Sequence, residues 1–240
     1  MKDFSFVLPT RGNLAELMGF ITSLVDTVKD KDCFEILLAP DIDDPELERM
    51  KGMVKGYPVR VYETHPTDNF NRDYFNFLTY KAVGKNIWCI NDDVVMQTKH
   101  WDEIILNKIK VVNEEKKLNG VYLVDTFDST HEQGGNSFPR FPLISKKAVD
   151  AIGFLMFPQV RTWPADKVIY LLYACLDAVV PCHEVKIQHN WTGNNDPEKS
   201  IIIQSFKGDI ENGVFPVDAY VQVYQLRKAQ NPEWPGELKR

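Results

Sequence analysis

Two adjacent carboxylates, Asp92 and Asp93, follow directly after the strand-like apolar run at residues 86–91. Like charges side by side repel each other, and partial burial at the end of a strand makes it harder to keep both ionised. A divalent cation would offset that cost, and hard oxygen ligands favour magnesium, manganese or calcium. A solvated turn or a helix cap would also place Asp here. The pair therefore marks a candidate cation site.

A second acidic cluster, residues 41–44, also begins where a strand-like run ends. Short β-rich runs alternate with helical patterns through the first two-thirds of the sequence. The runs lie at 4–8, 34–39, 59–63, 86–91 and 121–124, and the helices start after Asn13, at Pro45, before Tyr74 and near Trp101. This alternation predicts an α/β fold with a mostly parallel sheet and helices on both faces. Because ligands of such sheets collect at the carboxyl ends of the strands, both acidic clusters are predicted to line one crevice.

Local signals predict where these elements begin and end. Asn13 followed by Glu16 predicts a capping box at the start of the first helix. Gly84 is predicted to stop the helix that runs through Tyr74. The polar stretch 126–140, with its two adjacent glycines, is predicted to form a loop that could close as a lid.

The composition is that of a globular protein with one main domain. The 240 residues are 44% hydrophobic and carry a net charge of −6, which argues against non-specific binding to nucleic acid or to anionic membranes. No secretory signal and no apolar run of ~20 residues is found, so we expect a cytoplasmic protein without a membrane partner. Residues 1–195 are predicted to form the domain. Residues 196–240, where the alternation is lost, are predicted to be an appendage packed on it.

Several segments resemble those of the GT-A nucleotide-diphosphosugar transferases, especially the inverting, family-two-like glycosyltransferases. Residues 6–11 (FVLPTR) resemble that family's opening strand, and residues 35–41 (EILLAPD) resemble its second strand. Asn76, followed by Gly84 and the next strand, resembles the approach to the family's Asp-x-Asp metal motif. That motif aligns with residues 91–93, where Asn91 replaces the first acid.

The resemblance implies a Rossmann-like nucleotide-sugar-binding domain and a role for each matching residue. Mn²⁺ or Mg²⁺ is the implied cofactor. Because Asn91 stands at the first position, Asp93 is implied to contact the metal, with Asp92 on the ribose or on a metal-bound water. The residues implied to bind the donor are Pro9, Thr10, Arg11, Asp41, Asn76 and Asp92.

The second half of the chain resembles the acceptor side of the same family. Residues 138–147 (FPRFPLISKK) resemble its acceptor-side segment, and residues 163–166 (WPAD) stand where relatives place an acidic pair. With Ala165 at the first position, Asp166 alone is implied as the catalytic base. The alternative is an acidic residue that favours the dipole of the helix predicted at 167–176.

Histidines and cations provide further candidates. His189 is implied to complete the metal sphere, with His183 as its competitor and a structural histidine as the other interpretation. Arg11, Arg140, Lys146 and Lys147 are candidates for binding a diphosphate, and Trp163 and Trp191 for stacking on a sugar or base. Solvated surface charge and core packing are the alternatives for these residues.

Together these features predict a metal-dependent glycosyltransferase. It would move a sugar from a nucleoside-diphosphate sugar, UDP-linked, to a hydroxyl group with inversion. The acceptor could be a glycan, a protein, a small molecule or a modified DNA base. Two alternatives stay open: a retaining glycosyltransferase, and a non-catalytic nucleotide- or carbohydrate-binding domain, which the altered positions Asn91 and Ala165 favour. The single glycine after the first strand argues against a nucleotidyltransferase.

Overall fold

The computed structural model describes residues 2–131, 139–161, 165–190 and 219–233. The strands are β1 Phe4–Thr10, β2 Phe34–Pro40, β3 Val59–Val61, β4 Asn86–Cys89, β5 Val94–Met96, β6 Leu123–Asp128, β7 Leu143–Ser145 and β8 Val179–His189. The helices are α1 Leu14–Thr27, α2 Leu47–Met53, α3 Phe77–Thr79, α4 Trp101–Glu115, α5 Lys146–Ile152, α6 Ala165–Ala174 and α7 Ala219–Gln230. A π-helical turn, Asn71–Asn76, leads into α3, and a 3₁₀ turn, Ser129–His131, follows β6.

The strands form one sheet in the order β3-β2-β1-β4-β7-β6-β8-β5. Strands β1, β2, β3 and β4 are parallel, β7 is antiparallel to both β4 and β6, β8 is parallel to β6, and β5 is antiparallel to β8. The predicted mostly parallel sheet is therefore confirmed. The carboxyl ends of β1, β2, β4, β6 and β8 share one edge of the sheet.

The centre of the sheet is covered on both faces. Every residue from Phe4 to Leu8 is buried, although successive side chains in a strand point to opposite faces. On one face Phe6 stacks on Trp88 with ring centroids 5.1 Å apart, and Trp101 from α4 packs edge-on against Phe6 at 5.5 Å. This aromatic core fixes α4 against the strands that carry the acidic clusters.

Two local predictions are wrong. Asn13 makes no side-chain capping bond at the start of α1. Its neighbour Gly12 instead donates its N–H to Asp44 Oδ2 at 2.9 Å, which ties the helix entry to the loop after β2. Gly84 does not stop a helix, because α3 already ends at Thr79. A Cβ on Gly84 would lie 2.6 Å from backbone atoms of β1, so the close approach of two chain segments requires this glycine.

The sixth strand is also longer than predicted. The polar stretch predicted as a loop from residue 126 begins inside β6, which continues to Asp128. Its polar side chains Asp125, Thr126 and Asp128 are buried, and buried polar groups in a strand blur the alternation by which strands are recognised. Residues 132–138, the middle of the predicted lid, lie outside the described residues.

Helix α7 contacts α5 and α6, and Leu226 on it is fully buried. The division into a domain at 1–195 and an appendage at 196–240 stays a prediction. Within the described residues, no helix combines the length and apolar character needed to cross a membrane.

Candidate active site

The two predicted acidic clusters lie at the same edge of the sheet, where a hydrogen bond joins the end of β1 to the loop after β4. Thr10 Oγ1 donates to Asp92 Oδ2 at 2.7 Å, and both side chains are buried. Burial raises the pKa of Asp92 to about 6, and the negative charges of Asp93 and Glu16 add to the rise, whereas the bond from Thr10 opposes it. The bond therefore holds Asp92 in a fixed orientation at the carboxyl ends of β1 and β4.

Asp41, the first residue after β2, is held by donors on both carboxylate oxygens. Arg11 Nη1 donates to Asp41 Oδ2 at 2.8 Å, and the Tyr74 hydroxyl donates to Oδ1. Burial raises the pKa of Tyr74, and the hydrogen bond to Asp41 raises it further, so this hydroxyl stays protonated and remains a donor. Arg11 also pairs with Asp43. Asp41 is thus a buried, oriented carboxylate beside the predicted donor crevice.

Asp93 and His189 face each other across the pairing of β5 with β8. Asp93 immediately precedes β5, His189 ends β8, and the antiparallel register places Val94 opposite His189. Asp93 Oδ2 lies 3.2 Å from His189 Nε2, and the Asn190 N–H donates to the Asp93 carbonyl at 2.8 Å. The Phe141 ring packs edge-on against the imidazole at 5.0 Å. The two predicted metal ligands are therefore adjacent.

The donor set of this pair fits a divalent cation with open coordination positions. Asp93 Oδ1 and His189 Nδ1 are buried and have no hydrogen-bond partner among the described residues, although buried polar atoms are normally satisfied. Carboxylate oxygen suits magnesium and manganese, whereas imidazole nitrogen suits transition-metal ions. Within the described ranges, no group of three or more His, Cys, Asp or Glu side chains forms a complete metal site. A cation held by this pair would therefore keep positions for substrate oxygens and water.

Asp166 lies in the first turn of α6, as its sequence context predicted, but it is buried and not solvated. Burial raises its pKa to about 6, opposed by the bond from the Lys167 N–H to Asp166 Oδ1 at 2.7 Å and by the positive charges of Arg140 and Lys167. Burial raises the pKa of Cys89 at the end of β4, and the charge of Asp166 adds to that rise. The charge of Asp166 therefore acts at the end of the strand that leads to Asp92.

His183, the competing histidine, does not join this cluster. Its Nε2 atom lies 3.0 Å from Asp125 Oδ2 on β6, and its side chain is half exposed. Burial raises the pKa of Asp125, whereas the contact with His183 lowers it. Of the two histidines, His189 is the one that the structure places against Asp93.

Asn76 faces another part of the chain. Its amide donates to the Met156 carbonyl at 2.7 Å and accepts the N–H groups of Leu155 and Met156 at 2.9 Å each. The buried side chain thus fixes the segment between α5 and α6. Its predicted contact with the donor stays a prediction.

The two lysines considered for the diphosphate lie at the opposite edge of the sheet. Because β7 runs antiparallel to β4, Ser145 pairs with Asn86 at the beginning of β4, and Lys146 and Lys147 follow there. Lys146 pairs with Asp150, and Lys147 donates to the Asn119 carbonyl. This placement is a correction of the sequence-based expectation. Trp163 and Trp191 lie outside the described residues, and Pro9 is part of β1.

Two contacts at the crevice were missed by the sequence analysis. Tyr74 was interpreted only as part of an apolar helix face, and its hydroxyl holds Asp41. Asp128 was placed in a loop, and it is a buried strand residue whose Oδ2 lies 3.6 Å from Arg140 Nε. For Asp128 the available signal was its apolar neighbour Phe127, which extends the strand-like run.

Solved structures that resemble this chain come from nucleotide-sugar glycosyltransferases. Structures of S. aureus TarS 1–349 with UDP and with UDP-GlcNAc each match with a TM-score of 0.60, at 10% and 11% identity, over 95% of this chain and 71% and 72% of theirs. The mannosyltransferase PcManGT from Pyrobaculum calidifontis, in complex with GDP-Man and Mn²⁺, matches with a TM-score of 0.64 at 10% identity, over 95% of this chain and 69% of that one. The chain has the GT-A fold.

At this level of identity the GT-A match extends to the fold and not to individual residues. The longer TarS structure is covered over 43% of its length. No protein-family model matches the sequence, and no curated protein sequence matches it either.

Proposed function

We propose that this chain is a metal-dependent glycosyltransferase that moves a sugar from a nucleoside-diphosphate sugar, UDP-linked, to a hydroxyl acceptor with inversion. The observation that carries the proposal is the Asp93–His189 pair, whose Asp93 Oδ1 and His189 Nδ1 atoms have no partner among the described residues, together with a further buried carboxylate, Asp166. The GT-A fold supports it, because neighbours with that fold were solved with UDP, UDP-GlcNAc or GDP-Man.

The donor would occupy the crevice between the ends of β1, β2 and β4. Asp41, oriented by Tyr74 and Arg11, would accept hydrogen bonds from the nucleobase, and Thr10 and Pro9 would line the pocket at the end of β1. Asp92, held by Thr10, would contact the ribose. Asn76 would hold the segment at 155–156 against the donor side.

Asp93 and His189 would hold Mn²⁺ or Mg²⁺. The cation would supply positive charge that stabilises the departing diphosphate. Asp93 and His189 are adjacent without a cation, since the β5–β8 pairing sets the separation of their backbones. Because these two residues are already adjacent, less conformational entropy would be lost when the metal and the donor bind.

Asp166 would be the general base. As the acceptor hydroxyl oxygen attacks the anomeric carbon and the bond from that carbon to the diphosphate oxygen breaks, Asp166 would take the hydroxyl proton. A pKa near 6 suits this role, because the carboxylate is ionised at neutral pH yet more basic than an exposed Asp. Direct attack on one face of the sugar inverts the anomeric carbon.

A screen of nucleoside-diphosphate sugars, with release of the diphosphate as the readout, tests this proposal. We expect turnover with Mn²⁺ or Mg²⁺ that is abolished by a chelator and lowered at least ~100-fold in both Asp93→Ala and Asp166→Asn, in the range seen for general acid–base groups. Asp150→Ala removes an exposed carboxylate at the opposite edge and should leave turnover unchanged. The configuration of the product at the anomeric carbon, read by NMR, separates inversion from retention.

A non-catalytic binding domain is the second candidate, favoured by Asn91 and by the buried Ala165 at positions where the resembling family has acids. It predicts that nucleoside diphosphates bind without any turnover of a sugar donor. Metal-dependent donor hydrolysis would exclude it. Full metal-dependent turnover by Asp93→Ala would instead show that the metal ligands are assigned wrongly. A cytoplasmic location and the identity of the acceptor stay predictions.

A further inference from the structure

A side chain holds the backbone of His189 at the point where strand pairing ends. Strands β6 and β8 pair in parallel until Asp128 lies opposite Ile187. Continued pairing would place residue 130 beside His189, but the chain has already entered the 3₁₀ turn Ser129–His131. The Thr130 hydroxyl takes over this pairing, because its Oγ1 atom accepts the His189 N–H at 2.9 Å and donates to the His189 carbonyl oxygen at 2.9 Å. One hydroxyl therefore satisfies both backbone polar groups of the histidine.

The neighbouring strand β5 holds the other side of this residue. The antiparallel register places Val94 opposite His189, and the next residue, Asn190, donates its N–H to the Asp93 carbonyl at 2.8 Å. The end of β8 is thus held between β5 on one side and the Thr130 side chain on the other.

The 3₁₀ turn that carries Thr130 is itself tied down at two places. The Thr130 N–H donates to Asp128 Oδ1 at 3.0 Å, and Asp128 is only 2% exposed. The Ser129 hydroxyl donates to Oε1 of Gln97, the residue after β5, at 3.0 Å. The turn is therefore fixed against both β6 and the chain after β5, and the Thr130 hydroxyl has a defined position.

The imidazole that this arrangement places belongs to the proposed metal pair. His189 Nε2 lies 3.2 Å from Asp93 Oδ2, and the His189 side chain is 12% exposed. Phe141 packs edge-on against the imidazole at 5.0 Å. A shift of the His189 backbone would therefore move the ring away from Asp93 or against Phe141. Groups that orient a metal ligand contribute to metal affinity without touching the metal.

We propose that Thr130 is a positioning residue for metal binding, which holds His189 beside Asp93 through its hydroxyl. This inference rests on the proposed role of Asp93 and His189 as metal ligands. Thr130 would act through His189 and not on the cation, because its hydroxyl is engaged by the histidine backbone both as acceptor and as donor.

The chain offers a matched control on the same strand. Thr98 Oγ1 accepts the Lys186 N–H at 2.8 Å and donates to the Glu184 carbonyl at 3.3 Å. This pair of bonds has the same form as that of Thr130, but it lies earlier in β8 and does not involve His189. Loss of the Thr98 hydroxyl should therefore remove equivalent bonds to β8 and leave the proposed metal pair in place.

The test is Mn²⁺ binding, measured by EPR without and with UDP, so that no turnover is needed. Thr130→Val removes the hydroxyl with little change of shape and should weaken Mn²⁺ binding roughly tenfold, as expected for a group that orients a metal ligand. Thr130→Ser keeps the hydroxyl and should bind Mn²⁺ like the wild type, as should Thr98→Val. An unchanged affinity in Thr130→Val, or an equal loss in Thr130→Val and Thr98→Val, would overturn the proposal.

Hydrogen exchange of the His189 amide, followed by NMR in the metal-free protein, separates this inference from the proposed function. Loss of one hydrogen bond should speed this exchange roughly fivefold in Thr130→Val and leave it unchanged in Thr130→Ser. If exchange and Mn²⁺ affinity are both unchanged in Thr130→Val while Asp93→Ala no longer binds Mn²⁺, the metal site stands and the role of Thr130 is wrong. If exchange is faster but the wild type binds no Mn²⁺, the proposed metal site fails, and Thr130 only secures the end of β8.

Discussion

Asp166→Asn should lower turnover at least ~100-fold and at the same time stabilise the fold at neutral pH. The native carboxylate takes up a proton near pH 6, whereas an Asp in an unfolded chain does so near pH 4. Between these values the native state binds more protons than the unfolded state, so the stability of the wild type falls as pH rises from about 4 to 6. This loss of stability is complete above about pH 7. Because asparagine does not titrate, the variant does not undergo it.

The size of the effect follows from the two protonation equilibria. A tenfold change in an equilibrium constant is worth about 1.4 kcal/mol. A difference of about two units between the native and unfolded pKa therefore changes the free energy of unfolding by at most about 3 kcal/mol. The bond from the Lys167 N–H is kept, because the Asn oxygen can accept it. For a domain of this size 3 kcal/mol raises the melting temperature by roughly 6–12 °C. At pH 4 the two proteins should be equally stable.

Urea unfolding of wild type and Asp166→Asn at pH 4, 6 and 8 measures this difference. Asp102→Asn is the matched control, since Asp102 is also buried but accepts the N–H groups of Lys29 and Asp30 at 2.8 and 3.0 Å. Asn offers one acceptor in place of two, so this variant should lose about 1–3 kcal/mol at pH 6 and 8. An Asp166→Asn protein that is no more stable than wild type at pH 8 would refute the reasoning about burial.

Two further predictions concern the fold and the donor pocket. Gly84→Ala should lower the free energy of unfolding in urea by about 3 kcal/mol or more, because its Cβ would lie 2.6 Å from the backbone of β1. The control Gly19→Ala, on the open face of α1, should raise the free energy of unfolding by up to about 1 kcal/mol. Equal effects of the two substitutions would contradict the packing argument. Tyr74→Phe removes a hydrogen-bond donor to Asp41 and should weaken nucleoside-diphosphate binding roughly fivefold to tenfold, as measured by calorimetry. The control Tyr80→Phe, whose exposed hydroxyl donates to the Gly153 carbonyl, should leave the affinity unchanged. An unchanged affinity for Tyr74→Phe would remove Asp41 from the nucleobase site.

The sequence by itself determined the architecture of the donor half. Mostly apolar runs at β1 and β2 and the helical spacing of α1 indicate strands buried on both faces, and crossover helices cover a parallel sheet in that way. From this it followed that residues after successive strands share one edge. Thr10, Asp41 and Asp92 could therefore be grouped without knowing any distance, and the hydrogen bond between Thr10 and Asp92 agrees with that grouping.

Strand direction and register were decided by the tertiary structure alone. An apolar run has the same pattern whether the strand is parallel or antiparallel, so the sequence could not show that β7 reverses and carries Lys146 and Lys147 to the far edge. For the same reason the strand pattern alone could not rank His189 above His183, and only the family resemblance favoured His189. The β5–β8 register places His189 against Asp93, and a bulge in the β6–β8 pairing leaves His183 facing Asp125.

The environment of each polar group is the other property that only folding supplies. The sequence contains Asp166 in a first-turn context that fits either a solvated helix end or a base, and burial in the tertiary structure is what raises its pKa. Asn76 is likewise an ordinary polar residue until long-range contacts fill its hydrogen-bonding groups. Local sequence specified which strands end at the crevice, and long-range packing decided which side chains meet there, because desolvation and partner choice depend on residues far apart in the chain.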